Sequence, residues 1–229
     1  MSEHNEASGT DLVFESRGLD GFTEGQPLVM LLHGRGSNER DLLGLHPYLE
    51  KSGAMGSPLA LITPRATFSG QAWGYGPGWA WYRYIAEDRV EVDTLEESLV
   101  ALDRLIDRLP ELLGATPGPL LLGGFSQGGT TALAWALTRP GRVRGVINLS
   151  GFLVRAPSVD QALDSGPDAL DVFWGHGQAD PAIPFQLGEK GRGRLREVGV
   201  ALEVFDHPSG HTITPGELTA LSRWMETLV

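Results

Sequence analysis

The chain has 229 residues, of which 41% are hydrophobic, 21% are charged and 31 are glycine. It is long enough to bury a core and has the length of one α/β domain. A net charge of −11 disfavours binding to nucleic acid and to anionic membrane surfaces. Because the sequence contains no cysteine, disulfides, thiolate metal sites and a cysteine nucleophile are excluded.

The first residues are polar and lack the apolar stretch of a signal peptide. Residues 1–10 are predicted to form a flexible tail, and residues 11–229 a single domain. No run of apolar residues approaches the roughly 18 that a membrane span needs. We therefore expect a cytoplasmic protein without integral membrane association.

Six short apolar runs, bounded by glycine, proline or polar residues, have the pattern of strands buried on both faces. They are residues 28–32, 59–62, 120–122, 143–149, 170–174 and 202–205. Segments with helical spacing separate them, most clearly residues 92–109. Because strands that alternate with helices pair in parallel, we expect an α/β fold with a mostly parallel central sheet and helices on both faces.

Two segments late in the chain carry more specific predictions. Residues 152–168 are predicted to form a long loop or lid. The last helix is predicted to begin after Thr214, with Pro215 at its first position and Glu217 completing a capping box.

A candidate nucleophile lies in the sequence Gly124-Phe-Ser-Gln-Gly128. This matches the Gly-x-Ser-x-Gly elbow, in which small flanking residues allow a strained turn that exposes the serine. The motif alone also fits an ordinary glycine-rich turn. Its context favours the elbow, because an apolar run precedes Ser126 and an alanine-rich helical segment follows it.

A serine nucleophile needs a base and an orienting acid, which follow it in chain order in this class of fold. Asp180 follows the fifth apolar run, and His211 follows the sixth after a flexible Gly210. The alternatives for these roles are His207, which Pro208 stiffens, and Asp206, which is close in sequence to His211.

The remaining histidines are assigned structural or solvated positions. His33 and His176 each precede a glycine at a strand end, where we expect them to brace loops by hydrogen bonding. His46 is predicted to be solvated on a helix face, and His4 to be solvated in the tail.

When a serine attacks a carbonyl group, negative charge develops on the carbonyl oxygen, and backbone N–H donors stabilise it. The residue after the nucleophile, Gln127, supplies one of them in elbows of this type. For the second donor we choose the amide of Arg35, in the glycine-lined loop that follows the first apolar run.

Residues 68–84 hold seven aromatic side chains interleaved with glycines. The segment either lines an apolar wall of the site, with Trp79, Trp81 or Tyr82 touching substrate, or is pinned to the core by its aromatic rings. Arg83 or Arg35 could bind a substrate carboxylate. An exposed apolar patch near this segment would support a homodimer.

Four blocks of this sequence, in this order, carry a family resemblance. They are Leu-Leu-His-Gly-Arg-Gly (31–36), Gly-Gly-Phe-Ser-Gln-Gly-Gly (123–129), His-Gly-Gln-Ala-Asp-Pro (176–181) and Gly-His-Thr-Ile-Thr (210–214). Together they resemble the carboxylesterase, phospholipase and acyl-protein thioesterase family over residues 27–229. Arg35 departs from the eukaryotic thioesterases, which usually have an apolar residue there, and is similar to bacterial esterases.

The resemblance implies an α/β-hydrolase fold without a large cap domain, with Ser126 as nucleophile, Asp180 as acid and His211 as base. It also implies oxyanion donors at Arg35 and Gln127, a small-molecule ester as substrate, and neither a metal nor an organic cofactor. The expected activity is hydrolysis of small to medium apolar acyl esters. Thioesterase, lysophospholipase, acyltransferase and dienelactone-hydrolase-like activities share this chemistry. A non-catalytic binding protein is disfavoured, because all three candidate catalytic residues are present.

Overall fold

A computed structural model describes residues 12–50, 59–167 and 169–228. The strands within these residues are β1 Phe14–Arg17, β2 Leu28–Leu32, β3 Ala60–Pro64, β4 Phe68–Ser69, β5 Trp79–Ala80, β6 Tyr84–Ala86, β7 Arg89–Val90, β8 Leu120–Phe125, β9 Gly145–Leu149, β10 Asp171–Gly177 and β11 Ala201–His207. The α-helices are α1 His46–Glu50, α2 Val92–Leu113, α3 Gln127–Thr138, α4 Pro157–Asp164, α5 Phe185–Glu197 and α6 Pro215–Glu226. None of these helices is both long and apolar enough to cross a membrane.

Seven strands form the central sheet in the order β1-β3-β2-β8-β9-β10-β11. All neighbouring pairs are parallel except β1 and β3, which are antiparallel. The mostly parallel sheet predicted from the alternating pattern is therefore confirmed. Because parallel strands end at the same edge, the loops after β2, β8, β10 and β11 gather along one side of the sheet.

Alternate residues of the buried strands face opposite layers of helices. In β2, Leu28 and Met30 belong to one apolar core with residues of α2 to α5, whereas Val29 and Leu31 belong to a second core with residues of α1 and α6. Burial on both faces explains why these strands are continuous apolar runs. Strand β11, at one edge of the sheet, differs because every residue except His207 is partly or fully exposed.

Two predictions about the second half of the chain have different outcomes. The capping box of α6 is confirmed, since the Glu217 amide donates to Thr214 Oγ1 and the Thr214 amide donates to Glu217 Oε2, each at 3.2 Å. The prediction of a loop over residues 152–168 is wrong, because this segment contains α4. Pro157 begins this helix, and Val159 and Leu163, four residues apart, bury one face of it in the core.

The aromatic segment forms two small hairpins outside the central sheet. Strands β4 and β5 pair with each other, as do β6 and β7. An isolated bridge joins Ser37 to Trp79, so the first hairpin lies against the loop after β2. The predicted tail, residues 1–10, lies outside the described residues.

Candidate active site

Ser126 lies in a strained turn between β8 and α3. Its φ is 56° and its ψ is −118°, a backbone conformation that residues with a side chain seldom adopt. The Ser126 amide donates to Leu149 O at 2.7 Å, which ties the turn to β9. The flanking glycines are required by close packing, because a Cβ at Gly128 would lie 2.0 Å from Leu32 O and one at Gly124 would lie 2.4 Å from the same atom.

Asp180 and His211 form a direct pair. His211 Nδ1 lies 2.6 Å from Asp180 Oδ2, and the amides of Ala182 and Ile183 donate to Asp180 Oδ1 at 2.8 and 2.9 Å. The Asp180 side chain is fully buried, whereas that of His211 is 21% exposed. A buried carboxylate held by two amides has a fixed orientation, so its contact holds the His211 ring in place.

Ser126 and His211 line the same cleft, which has a volume of about 280 Å³. The His211 ring packs on Phe125, the residue before Ser126, with 4.6 Å between ring centroids. The remaining lining residues are Gly34, Arg35, Ser37, Asp41, Tyr82, Tyr84, Gln127, Phe152, Ala182 and Ile183. The structure therefore brings together the loops that follow β2, β8, β9, β10 and β11.

The alternative acid and base have other partners. Asp206 is ion-paired with Arg192 at 2.6 Å, and the buried His207 lies 3.5 Å from Glu217. Neither belongs to the lining of the cleft. The geometry favours Asp180 and His211 over Asp206 and His207.

His33 and His176 brace loops, as predicted. Nε2 of His33 accepts from the Ala66 amide at 3.0 Å, and the ring of His176 contacts Ile183 O at 2.9 Å, beside Asp180. Burial lowers the pKa of both rings. The prediction for His46 is wrong, because this side chain is buried and its Nε2 lies 2.8 Å from Leu59 O.

The two predicted oxyanion donors lie on the two loops that meet at Ser126. Gln127 is the first residue of α3, so its amide has no acceptor within that helix. Gly34, which precedes Arg35, approaches the elbow so closely that a Cβ there would lie 3.6 Å from Ser126 Cβ. Arg35 and Gln127 both line the cleft.

The side chain of Gln127 has a structural contact that the sequence did not indicate. Its Oε1 accepts from the Trp81 amide at 2.8 Å, and its Nε2 donates to Tyr82 O at 2.7 Å. This clamp ties the aromatic segment to the start of α3. A glutamine at the variable position of an elbow motif gives no hint of such a partner.

Of the three aromatic residues predicted to touch substrate, the structure brings only Tyr82 into the cleft lining. Trp81 is fully buried and its indole N–H donates to His33 O at 2.9 Å, so it pins the segment to the core. Trp79 lies beneath the Arg65 guanidinium, in a separate depression of about 690 Å³ bordered by α2. The assignments of Trp79 and Trp81 to the cleft are therefore corrected.

Tyr84, Phe152 and Ile183 complete the apolar part of the cleft and were not singled out from the sequence. Tyr84 lies at the end of the aromatic segment, and Phe152 follows β9 by three residues. Position at the carboxyl end of a predicted strand is the signal that could have indicated Phe152.

The strained serine, the Asp180–His211 pair and the mostly parallel sheet are features of the α/β-hydrolase class. Residues 21–229 match the family described as phospholipase/carboxylesterase. The chain therefore belongs to this family.

Several known proteins are similar to the chain. It is 29% identical over 154 residues to a probable carboxylesterase of Oryza sativa subsp. japonica, covering 64% of this chain and 65% of that protein, slightly under two thirds of its length. It is 30% identical over 170 residues to acyl-protein thioesterase 1 of Kluyveromyces lactis, covering 70% of this chain and 72% of that protein. The crystal structure of esterase PE8 superimposes with a TM-score of 0.76 at 27% identity, covering 90% of this chain and 94% of that one.

Proposed function

We propose that the protein is a serine carboxylic ester hydrolase that cleaves small to medium apolar acyl esters through an acyl-enzyme on Ser126. The observation that carries this proposal is the 2.6 Å contact between His211 Nδ1 and Asp180 Oδ2, in a cleft that also exposes a serine in a strained turn. Membership of the phospholipase/carboxylesterase family supports the same activity.

In the proposed first step, His211 acts as the base. A carboxylate only accepts hydrogen bonds, so contact with Asp180 assigns the His211 proton to Nδ1 and leaves Nε2 free to accept. Nε2 removes the proton of Ser126 as Oγ attacks the ester carbonyl carbon. Asp180 then stabilises the imidazolium ion that results.

The amides of Arg35 and Gln127 are the proposed donors to the oxyanion of the tetrahedral intermediate. Collapse of this intermediate breaks the bond to the alcohol, to which His211 returns the proton. Water then attacks the acyl-enzyme by the same route and releases the acid.

The cleft supports substrates of limited size. Its volume of about 280 Å³ lies near the lower end for sites that enclose a small organic molecule. Phe125, Tyr82, Tyr84, Phe152 and Ile183 make most of its wall apolar. We therefore infer a preference for short or medium acyl groups over long ones.

Thioester hydrolysis is the second candidate, and the similarity to the thioesterase of Kluyveromyces lactis favours it. The acyl-enzyme would be the same, and only the leaving group would differ. Comparing matched oxygen esters and thioesters of one acyl chain would separate the two activities. The cytoplasmic location and the homodimer stay predictions from the sequence.

A series of p-nitrophenyl esters from acetate to palmitate tests the proposal. We expect the unmodified protein, the parent, to cleave the shorter esters. Ser126→Ala should lose turnover, whereas Ser165→Ala, a change of an exposed serine, should retain it. Asp180→Asn should lower kcat by about 10⁴-fold, as in other serine hydrolases, whereas Asp206→Asn should have little effect. Substantial activity in a folded Ser126→Ala protein would refute the mechanism.

A further inference from the structure

Arg35 is a charged side chain at the mouth of an otherwise largely apolar cleft. Its guanidinium carbon lies 4.6 Å from the centroid of the Tyr75 ring, a cation–π distance. That ring is itself anchored, because Tyr75 Oη accepts from the Tyr84 amide at 2.9 Å. The guanidinium is therefore held at a defined place on the wall of the cleft.

Arg35 differs from other arginines near this edge of the sheet. Arg40, Arg65 and Arg83 pair with glutamates at 3.1, 2.6 and 3.5 Å. Within the part of the chain that the structure describes, no carboxylate forms an ion pair with Arg35. Stacking on Tyr75 leaves the N–H groups along the guanidinium edge available to an external acceptor.

The charges on the lining of the cleft are mixed in sign. Burial raises the pKa of Tyr82, and a hydrogen bond with Thr130 and the positive charge of Arg35 oppose that shift. Asp41 also lines the cleft and carries the opposite charge. Because the protein as a whole has a net charge of −11, any preference for an anion must arise from a local cation such as Arg35.

We propose that the Arg35 side chain is a subsite for a carboxylate of the substrate, so that the enzyme prefers esters carrying an acid group in the acyl or the alcohol part. This inference rests on the proposed esterase activity and narrows its substrates to esters that carry a carboxylate beyond an apolar chain or ring. The planar guanidinium matches a carboxylate in a two-point contact, which an ammonium does not provide.

Two matched substrate pairs test the subsite. The first is mono-p-nitrophenyl adipate against p-nitrophenyl hexanoate, in which a carboxylate replaces the terminal methyl group of the acyl chain. The second is the butyrate ester of p-hydroxyphenylpropionate against that of its methyl ester, which places the charge in the leaving group. The measured quantity is the ratio of kcat/KM for the charged and the neutral member of each pair, corrected for spontaneous hydrolysis.

We expect the parent to favour the charged member of at least one pair. In Arg35→Gln that ratio should fall by about fivefold, the upper range for a solvent-exposed ion pair, and Arg35→Lys should retain part of it. Asp41→Asn should raise the ratio, because it removes a negative charge from the cleft. Arg83→Gln is the matched control and should not change it, since Arg83 pairs with Glu91 and does not line the cleft.

Using a ratio within each variant removes any general loss of activity that a change at Arg35 causes through its backbone. If Arg35→Gln and the parent have the same ratio for both pairs, the subsite is refuted. If the parent cleaves neutral esters in a Ser126-dependent manner but disfavours both charged esters, the subsite is refuted and the proposed function stands. Turnover that does not depend on Ser126 would instead refute the proposed function.

Discussion

Glu217 carries a carboxyl group in the first turn of α6. Its side chain is fully buried, and its Oε1 occupies the space that a Cβ at Gly175 would fill. Burial raises its pKa to about 7, although the hydrogen bond from the Thr214 amide opposes the shift. The neighbouring His207 provides no compensating cation at neutral pH, because burial lowers the pKa of its ring. The folded protein therefore holds a proton on Glu217 that the unfolded chain releases.

This difference makes the stability of the protein depend on pH. The ordinary pKa is 4.5 and the folded value is about 7, so the folded state binds more protons between these values and the parent loses stability as pH rises through them. Glu217→Gln keeps the capping geometry but does not ionise. Its free energy of unfolding should equal that of the parent below pH 4.5 and exceed it by about 3 kcal/mol above pH 7.

The measurement is urea unfolding of both proteins from pH 4 to pH 8. Glu226→Gln, at an exposed position in the same helix, is the control. Its difference from the parent in free energy of unfolding should change little with pH. A Glu217→Gln advantage that does not grow with pH would contradict the assignment of a buried, protonated carboxyl.

The contact of α3 with β2 and β8 positions the serine turn. Gly128, in the first turn of α3, approaches Leu32 O and His33 O, so the helix packs on the sheet backbone without an intervening side chain. This close approach brings the first turn of α3 next to the loop of Gly34 and Arg35. The elbow therefore depends on small residues for packing as well as for backbone conformation.

Two glycine-to-alanine changes in helices should have opposite effects. Gly128→Ala forces a Cβ into backbone atoms and should destabilise the protein by about 1–3 kcal/mol, as other overpacked sites do. Gly193→Ala adds a Cβ to α5 where no atom lies within 4 Å. It should stabilise by about 0.5–1 kcal/mol, because alanine favours a helix over glycine. Thermal unfolding of both variants checks the signs, and equal effects would contradict the close packing at Gly128.

The elements of the fold that the sequence predicts are those whose burial leaves a hydrophobic pattern. Strand β2 has the predicted bounds, since a strand covered on both faces is one apolar run. Strand β8 extends three residues past its predicted end, to Phe125, because Gly123 and Gly124 interrupt the apolar run although the strand continues through them. Strand β1 was missed, since a four-residue polar edge strand is specified by its partner β3 rather than by its own composition.

The candidate site was predictable where a motif or chain order specifies it. The geometry agrees with the choice of Asp180 and His211 as a pair, because the order of loops in this fold restricts the alternatives. Which of the side chains of Trp79, Trp81 and Tyr82 faces the cleft could not be predicted in the same way. Their orientations depend on contacts between residues that are distant in sequence. Examples are the hydrogen bonds from the Trp81 amide to Gln127 and from the Trp81 indole to His33.

Ser126 is the one serine that we propose His211 to activate. Labelling the folded protein with diisopropyl fluorophosphate, followed by peptide mass spectrometry, tests this assignment without knowledge of the natural substrate. We predict a single adduct on Ser126, absent in Ser126→Ala and formed far more slowly in His211→Gln. No adduct on the folded parent protein, or an adduct on another serine, would refute the role of Ser126 as nucleophile.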